Sequence, residues 1–543
     1  MKKILFIIIF SISLQILAQE DAWVFLADKP NATIFLENPL TMLSQRALNR
    51  RTRQSIALDK KDVPIESTYY LQIKKAKGIT VLAKSKWLNA IHIQGTLADI
   101  NTLKQKFSFV NNIEFANKSL NIFDKKLKTV VRLTKYHQKK FTETTTNFNY
   151  GNAFNQITML HGDFLHQQGY TGKGMQIAII DAGFPNVNTN PAFQRLRENN
   201  QILGGYDFVH RNLNFYTGNS HGTHVLSDIG GYLENRFVGT APDAKFYLFI
   251  SEDSSKEAPI EESLWVEAAE KADSLGVDVI NTSLGYTTFD KASYNYTYAD
   301  MNGKTTFISR GAEIGASRGI ILVNAAGNSG RNSWHYIGAP ADARGVLSVG
   351  AVDTSSRIAS FSSRGPTSDN RIKPDIMAQG RNAFVINFQS GAPNTSNGTS
   401  FSSPIIAGVV ACFWQAYPNK TANEIKNAIR SSANRFKNPD NNYGYGIPNF
   451  EIAYNNLSLD EFLSVGLLVN VYPNPIKNSI NLNYLRGDLA TYEVTIYSVL
   501  GKKVFQQKSL RTKKIDISSF SKGVYLLQIR KRGKQKILKL IKN

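Results

Sequence analysis

Ser400 is the serine whose surroundings most suggest chemistry. It lies in the run Gly-Thr-Ser-Phe-Ser-Ser-Pro over residues 398–404, and an apolar stretch typical of a helix follows from Ile405 to Trp414, with Pro404 in the first predicted turn. The first backbone N–H groups of a helix have no partner within it, and the N-terminal end of the helix dipole is positive, so an oxyanion near this end is stabilised. This position suits a nucleophile of acyl transfer, but small polar residues before a helix are also ordinary caps. Ser400 alone leaves both interpretations open.

An aspartate and a histidine could supply the base that such a serine needs. Asp181 closes the apolar run 177–180, which predicts a strand buried on both faces. His221 lies in the run Ser-His-Gly-Thr-His-Val at the start of a predicted helix. Asp181 could instead be a turn residue, and His221 with His224 could instead bind a metal. The metal needs a third ligand, and no other histidine or acidic residue has a recognised spacing.

Asn328 could stabilise the negative charge that develops during acyl transfer. It lies in the run Ala-Ala-Gly-Asn-Ser-Gly, directly after the predicted strand Ile320–Val323. A side-chain amide at the end of a strand suits an oxyanion hole, although an isolated asparagine there is more often a turn residue. Asp181, His221, Asn328 and Ser400 each end a predicted strand or begin a predicted helix. In parallel sheets functional residues gather at the carboxyl ends of strands, so we expect the four side chains to meet.

The elements that must position these residues alternate between strand and helix from about residue 150 to 457. This alternation predicts an α/β domain with a doubly wound parallel sheet. Its other predicted elements are the strands Phe246–Ile250, Val277–Ile280 and Val346–Val349 and the helices Glu261–Leu275, Thr306–Ser317 and Ser400–Trp414. Thr421 and Glu424 have the spacing of a capping box, which predicts one more helix.

Two smaller blocks flank this domain. Residues 20–148 predict a small open sheet backed by helices, in the order β, α, β, β, α, β, with strands over 23–26, 69–73 and 90–95 and helices over 40–47 and 97–107. The carboxyl-terminal block predicts a small antiparallel sandwich. Its seven predicted strands are 467–471, 479–483, 492–498, 502–505, 515–517, 524–529 and 536–540.

The charge of the chain argues against a nucleic-acid enzyme. The net charge is +22 over 543 residues, but residues 150–460 carry −3, whereas residues 19–149 carry +11 and residues 461–543 carry +12. The basic charge therefore lies in the flanking blocks, and no nucleic-acid-binding motif accompanies it.

The amino terminus and the cysteine content also limit the interpretation. Lys2 and Lys3 precede the apolar run 4–17, which predicts a signal peptide over residues 1–18. No later run reaches about 18 apolar residues, so no membrane span is predicted. Cys412 is the single cysteine, so it forms no internal disulfide, and we interpret it as a small buried hydrophobe.

The blocks around the four candidate residues resemble the signature blocks of the subtilisin-like serine protease family. The matching runs are Asp181-Ala182-Gly183, His221-Gly222-Thr223-His224-Val225, Ala326-Gly327-Asn328 and Gly398-Thr399-Ser400-Phe401-Ser402-Ser403-Pro404. A fifth run, Asn281-Thr282-Ser283-Leu284-Gly285, is similar to the strand with which the family binds the substrate backbone. The departures are Ala182, Phe401 and Ser402, where the family usually has serine or threonine, methionine and alanine; none removes a catalytic group.

The resemblance implies a role for each residue. Ser400 would attack the peptide carbonyl, His221 would take and return the proton, and Asp181 would orient the imidazole. Asn328 and the Ser400 N–H would hold the oxyanion. The substrate-binding residues that it implies are Ser283, Leu284, Gly285, Ala325 and Ala326.

The flanking blocks also resemble known modules. Residues 19–148 resemble the inhibitory, folding-assisting propeptide of the family, with an α+β ferredoxin-like fold, and end in a polar stretch, 142–149, that is typical of a cleavable connection. The runs 472–475, 496–502 and 522–527 and the basic end 536–542 resemble the C-terminal sorting domain of type IX secretion substrates. This implies export through the periplasm and outer membrane to the medium or the cell surface. A carbohydrate-binding sandwich is the alternative for this block.

Together these patterns predict a signal peptide over 1–18, a propeptide-like domain over 19–148, a peptidase domain over 149–457, a linker over 458–466 and a sorting domain over 467–543. The predicted function is that of a secreted serine endopeptidase made as a proenzyme. The expected partners are protein or peptide substrates, the chain's own propeptide and the type IX secretion machinery. No cofactor is expected to be required and no metal ligands are assigned, while structural calcium, common in the family, stays open. The alternative function is a non-catalytic surface adhesion or binding protein on the same fold.

Overall fold

The computed structural model describes residues 19–121, 148–465, 469–483, 489–531 and 534–543. The predicted signal peptide and most of the predicted cleavable connection lie outside these ranges. The chain forms two compact units, Met1–Glu451 and Ile452–Asn543.

The first unit begins with a small antiparallel sheet. Its elements are β1 Gln19–Leu26, α1 Ala32–Glu37, α2 Gln45–Arg53, α3 Ser67–Lys74, β2 Ile79–Ser85, β3 Ala90–Thr96, α4 Leu97–Lys106 and β4 Val110–Phe115. The strand order is β2-β3-β1-β4, and α3 and α4 pack against the sheet. This is the small open sheet backed by helices that the sequence predicts.

Two of the secondary-structure predictions for this domain are wrong. The strand predicted over residues 69–73 is helix α3, which Glu66 begins by accepting a hydrogen bond from the backbone N–H of Thr68. A short apolar run has no period that distinguishes a strand from a helix. The helix predicted over residues 40–47 is a 3-10 turn followed by α2, which Ser44 caps through the backbone N–H of Ala47.

The segment over residues 148–465 contains the large sheet. Its helices and longer strands are α5 Phe154–Thr158, α6 Gly162–Gln167, β5 Gln176–Asp181, α7 Gln194–Glu198, β6 Ile202–Asp207, α8 His221–Gly230, β7 Tyr232–Leu233, β8 Phe237–Val238, β9 Lys245–Ile250, α9 Ile260–Leu275, β10 Val279–Thr282, α10 Phe307–Ser317, β11 Ile321–Ala325, β12 Val346–Val352, β13 Ile376–Gln379, β14 Ala383–Ile386, β15 Pro393–Ser396, α11 Thr399–Ala416, α12 Ala422–Ser432 and α13 Phe450–Val465. Seven strands form one parallel sheet in the order β13-β12-β11-β10-β5-β9-β6. The doubly wound parallel sheet predicted from the sequence is confirmed.

Helices cover both faces of this sheet. Ala178, Ile180 and Ile280 pack in one apolar cluster with residues of α9 and α10. Because side chains alternate along a strand, Asn281 points to the opposite face, where Ser403 of α11 donates a hydrogen bond to its side chain at 2.8 Å. The buried helix α11 is therefore held against the middle of the sheet, and its first residues lie at the carboxyl ends of the strands.

After the end of α13, the second unit is an all-β sandwich, as predicted. Its strands are β16 Asn470–Tyr472, β17 Ser479–Asn483, β18 Glu493–Ser498, β19 Lys503–Gln507, β20 Lys514–Asp516, β21 Gly523–Lys531 and β22 Lys534–Lys542. They form antiparallel sheets β16-β17-β20 and β19-β18-β21-β22, which share one apolar core. The segment predicted as a linker is helical through residue 465, because α13 continues across it.

Candidate active site

Asp181 and His221 form a hydrogen-bonded pair at the carboxyl end of β5. The distance from His221 Nδ1 to Asp181 Oδ1 is 2.7 Å, and the backbone N–H of Ala182 donates to the same oxygen at 2.8 Å. The Asp181 side chain is fully buried, whereas the His221 side chain is 30% exposed. Because the carboxylate only accepts, Nδ1 carries the proton in this pair and Nε2 is left as the basic nitrogen.

The charge of Asp181 controls the protonation of His221. Burial alone would lower the pKa of the imidazole, but the negative charge and hydrogen bond of Asp181 outweigh it and raise the pKa above its ordinary value. Asp181 thus stabilises the imidazolium that forms when His221 takes a proton.

A glycine lets the start of α8 approach the end of β5. A Cβ atom on Gly222 would lie 2.4 Å from the carbonyl oxygen of Gly183 and 3.0 Å from the Cβ of Asp181. Any larger residue would push these elements apart, so Gly222 is what allows the short contact between Asp181 and His221.

Ser400 is the second residue of α11, which begins at Thr399 with Gly398 as its N-cap. The interpretation of Ser400 as a helix cap is therefore wrong, and Pro404 lies in the second turn rather than the first. Proline has no N–H to donate to the carbonyl four residues before it, and the Ser400 carbonyl instead accepts a hydrogen bond from the Ser283 hydroxyl at 2.8 Å. This bond connects the nucleophile candidate to the predicted substrate-binding segment.

The Ser400 hydroxyl lies at the edge of the cleft and the residue is 8% exposed. Its Oγ donates to the Ser283 carbonyl at 3.3 Å, and among the described side chains it has no hydrogen bond to His221. Contacts between a catalytic hydroxyl and its base are often long without substrate and shorten when substrate binds. The Phe401 ring lies 6.0 Å from the His221 ring, between centroids, so the residue after Ser400 packs near the base.

Asn328 is held against the start of α11. Its Oδ1 accepts hydrogen bonds from the Thr399 backbone N–H at 2.9 Å and from the Thr399 hydroxyl at 3.1 Å. Both contacts use the oxygen, so they fix the amide plane and leave the Nδ2 donor for the cleft. An amide fixed in this way is suited to an oxyanion, because no reorganisation is needed when charge develops.

A concave cleft brings the remaining predicted residues together. Ser283, Leu284, Gly285, Ala325 and Ala326 all line it, with Asn328 and Ser400. The cleft has further lining residues that no sequence pattern predicts, among them Thr287, Tyr336 and Gly338. They lie in loops without a motif, which meet because the Tyr286 backbone N–H donates to the Ala339 carbonyl at 2.8 Å. Every lining side chain is uncharged.

The structure does not support a metal site at the two histidines. Nδ1 of His221 is bound to Asp181, and the His224 ring packs against Phe388. Within the described ranges, the one group of three or more possible ligand side chains is Glu252, Glu257 and Glu261.

Two of the three carboxylates in this glutamate group have hydrogen-bond partners within the protein. Glu252 accepts a hydrogen bond from the Tyr286 hydroxyl, and both carboxylate oxygens of Glu261 accept backbone N–H groups. Calcium prefers six to eight oxygen ligands, and neighbouring acidic groups are common in proteins without such an ion. We assign no calcium ion to this group.

Cys412 has the environment of a buried hydrophobe. Its thiol is fully buried in α11 and donates to the Thr240 carbonyl at 3.2 Å. Burial raises the pKa of the thiol well above its ordinary value. The side chain therefore lacks the thiolate character of a nucleophilic cysteine.

Family comparisons match three parts of the chain. Residues 172–446 match the subtilase family, residues 21–132 match the peptidase S8 propeptide domain of Bacteroidota, and residues 470–543 match the secretion system C-terminal sorting domain. A sorting domain of the type IX system implies export to the medium or the cell surface. Among the described residues, every helix is too short or too polar to cross a membrane.

Characterised proteases cover the same region. The chain is 32% identical to subtilisin DY of Bacillus licheniformis over 300 residues, which is 55% of this chain and 97% of that protein. It is 31% identical to the serine protease AprX of Bacillus subtilis (52% of this chain, 67% of that protein) and 32% identical to subtilisin E of the same species (55% and 70%). Subtilisins need no organic cofactor, and calcium binding is typical of them. With its parallel sheet, propeptide domain and sorting domain, the chain belongs to the subtilase family of serine endopeptidases.

Proposed function

We propose that this protease hydrolyses peptide bonds with Ser400 as nucleophile, His221 as base and Asp181 as the group that orients the base. The observation that carries the proposal is the hydrogen bond between the buried Asp181 and His221, at the same edge of the sheet where α11 presents Ser400 to an uncharged cleft. The Ser400 oxygen attacks the carbonyl carbon while its proton passes to His221 Nε2. The peptide C–N bond then breaks, His221 gives the proton to the leaving amine, and an acyl-enzyme remains on Ser400. Water, deprotonated by His221, hydrolyses the ester and restores the serine.

We propose that two donors hold the oxyanion of each tetrahedral intermediate. One is Nδ2 of Asn328, whose amide plane Thr399 fixes. The other is the backbone N–H of Ser400, which belongs to the first turn of α11, where N–H groups have no carbonyl partner within the helix. The positive end of the helix dipole adds to the stabilisation.

The substrate would bind as an added strand. Ser283, Leu284 and Gly285 follow β10 and line the cleft, so their backbone groups can pair with an extended peptide. The uncharged lining favours an uncharged side chain before the scissile bond.

We propose that the enzyme is made as a proenzyme with a propeptide domain over about 19–148, a peptidase domain over 149–457 and a sorting domain over 467–543. The first domain packs on α9 and α10. The Trp23 ring stacks on Phe307 with centroids 4.9 Å apart, and its indole N–H donates to Ser263 at 2.9 Å. A signal peptide over 1–18 and the carboxyl-terminal sorting domain would direct export through the type IX machinery.

Substitution of two serines in the same run tests the catalytic proposal. We expect Ser400→Ala to abolish casein hydrolysis, whereas Ser402→Ala should keep it within about 3-fold, because the Ser402 hydroxyl only donates to the Thr399 carbonyl of its own helix. Both chains should fold, as judged by circular dichroism. Casein hydrolysis by the Ser400→Ala protein would reject the nucleophile. A folded, processed wild-type protein without hydrolytic activity would favour the non-catalytic binding protein.

A further inference from the structure

The segment that we propose to bind the substrate backbone is held on both sides of Gly285. Before this glycine, the Leu284 carbonyl accepts a hydrogen bond from the Asn324 side chain at 3.1 Å. After it, the Tyr286 backbone N–H donates to the Ala339 carbonyl at 2.8 Å. Gly285 itself is exposed, and within the described part of the chain its N–H and carbonyl have no hydrogen-bond partner. Its backbone is therefore fixed in place and open to an extended peptide.

The side chain of Tyr286 adds a further support to this segment. It is fully buried, and its ring stacks against Phe289 with centroids 6.4 Å apart. Its hydroxyl donates to Glu252 Oε2 at 2.7 Å. A buried hydroxyl that loses its partner has no water to replace it, so the hydrogen bond to Glu252 favours one placement of the ring and of the backbone that carries it.

Glu252 lies on a segment that is anchored at both of its ends. It follows β9, and the backbone N–H of the residue before it donates to the Asp181 carbonyl at 3.1 Å. Glu261, in the first turn of α9, accepts the backbone N–H groups of Asp253 and Ala258 at 2.9 and 3.0 Å. The acceptor for the Tyr286 hydroxyl is therefore fixed to the strand edge that carries Asp181 and to the start of α9.

The backbone of Tyr286 connects this support to the opposite wall of the cleft. Tyr286 and Ala339 exchange two hydrogen bonds, since the Ala339 N–H also donates to the Tyr286 carbonyl at 3.3 Å. Two neighbours of Ala339, Tyr336 and Gly338, line the cleft. A shift of Tyr286 would thus displace both the segment that follows β10 and this wall.

The nucleophile candidate is held at the other end of the same segment. Ser400 and Ser283 exchange two hydrogen bonds, from the Ser283 hydroxyl to the Ser400 carbonyl at 2.8 Å and from Ser400 Oγ to the Ser283 carbonyl at 3.3 Å. Neither of these bonds includes Tyr286, and the hydrogen bond between Asp181 and His221 does not include it either. The support from Glu252 therefore acts on the part of the segment that lies farther from the reacting atoms.

We propose that Tyr286 and Glu252 are positioning residues, whose hydrogen bond holds the segment Ser283–Gly285 in the conformation that pairs with an extended substrate. The inference rests on the proposed function, because it takes Ser400 as the nucleophile and this segment as the substrate-binding strand. A substrate with several residues before the scissile bond pairs along the segment as far as Gly285, whereas one with a single residue there uses only the end next to Ser400. Loss of the hydrogen bond should therefore impair long substrates more than short ones.

Two esters with the same leaving group test this difference. Acetyl-Leu thiobenzyl ester offers a single residue before the scissile bond, and acetyl-Ala-Ala-Ala-Leu thiobenzyl ester offers an extended peptide. With the processed enzyme, we expect Tyr286→Phe to lower kcat/KM at least about 5-fold on the peptide ester and to keep it within about 2-fold on the single-residue ester. A general loss of structure would lower both values alike.

Tyr296→Phe is the matched control for the loss of a buried tyrosine hydroxyl. Tyr296 packs on the same phenylalanine, Phe289, with centroids 5.5 Å apart, and donates to another buried glutamate, Glu262, at 2.6 Å. It is not among the residues that line the cleft. Its kcat/KM should stay within about 2-fold of the parent on both esters.

Variants of Glu252 test the acceptor. Burial raises the pKa of its carboxyl well above the ordinary value and so favours the neutral form; Glu252→Gln, which keeps a side-chain carbonyl for Tyr286, should retain kcat/KM on the peptide ester within about 3-fold. Glu252→Ala should reproduce the selective loss of Tyr286→Phe. The double variant Tyr286→Phe with Glu252→Ala should lose no more than either single variant, because both changes remove the same hydrogen bond.

Two results would overturn the inference: equal losses on the two esters, or unchanged hydrolysis of the peptide ester by Tyr286→Phe. If Tyr286→Phe does not fold, Glu252→Ala decides by the same comparison. Neither result would bear on the nucleophile, which the Ser400→Ala protein tests separately.

Discussion

Replacing Asn328 separates the stabilisation of charge from the binding of substrate. In the ground state the substrate carbonyl is neutral, but in the tetrahedral intermediate its oxygen carries a full negative charge. The Asn328 Nδ2 donor should therefore act mainly on the transition state, and Asn328→Ala should lower kcat with little change in KM. Asn328→Asp is the sharper variant, because it keeps an acceptor for Thr399 while it replaces the donor with a charged oxygen.

Two separate losses determine how strongly replacement of Asn328 affects kcat and folding stability. Asn328 holds α11 through the two hydrogen bonds that its Oδ1 accepts from Thr399. Its second, proposed role is to donate a hydrogen bond through Nδ2 to the oxyanion. Loss of one oxyanion donor costs about 10²–10³ in kcat, or about 2.7–4 kcal/mol. Loss of the Thr399 contacts costs about 1–3 kcal/mol of folding stability in the alanine variant, and much less of it in the aspartate variant.

Steady-state kinetics with a chromogenic peptide, together with thermal unfolding, distinguish these roles. We expect both variants to lose about 10²–10³ in kcat with KM within about 3-fold, and only the alanine variant to unfold at a clearly lower temperature. Asn332→Ala, an exposed asparagine of the same loop, is the control and should keep full activity. If Asn328→Ala retains kcat within about 5-fold, the assignment of Asn328 to the oxyanion hole is wrong.

Three further predictions concern the base, the close approach of α8 and export. His221 must be neutral to accept a proton, and Asp181 raises its pKa, so kcat/KM should fall as the pH drops through a pKa above the ordinary 6.5. Asp181→Asn should move this acidic limb of the pH profile to lower pH and reduce kcat about 10⁴-fold. An acidic limb at the same pH in the variant would contradict the pairing of Asp181 with His221. Gly222→Ala should destabilise the fold by about 1–3 kcal/mol and reduce activity at least about 10-fold in a peptide assay, because the new Cβ would lie 2.4 Å from the Gly183 carbonyl oxygen. Unchanged thermal unfolding and activity would show that the close approach of α8 to β5 is unimportant. Deletion of residues 467–543 should leave the protein in the periplasm when cell fractions are immunoblotted, and its appearance in the medium would show that the tail is not the export signal.

The sequence predicted the parts of the molecule that obey local rules. Buried strands such as Ile177–Ile180 have no polar position, and this pattern predicts them directly. The small residues around Asp181 and Ser400 indicate the site, because close backbone approach requires them. The strand prediction over residues 69–73 is wrong because four apolar residues interrupted by Gln72 are compatible with the period of a strand and with that of a helix. Local patterns also say little about contacts between distant segments.

The cleft and the packing of the amino-terminal domain on the peptidase domain depend on such long-range contacts. Tyr336 lies in the cleft because long-range contacts hold its loop there, among them the pairing of Tyr286 with Ala339. In the sequence Arg51 is one of several basic residues in a polar helix, but in the structure it pairs with the carboxylate of Asp273, which lies 222 positions away along the chain. Pairing at this distance depends on how the whole domain folds, and a single sequence contains no signal for it.

Covalent labelling of the active enzyme tests the central claim most directly. A fluorophosphonate reacts with a serine only where a base and an oxyanion hole activate it, so the mature protein should take up one probe per chain. Digestion and mass spectrometry should place the probe on the peptide that contains Ser400, and Ser400→Ala should abolish the labelling. A probe found on another serine, or undiminished labelling of the Ser400→Ala protein, would contradict the account.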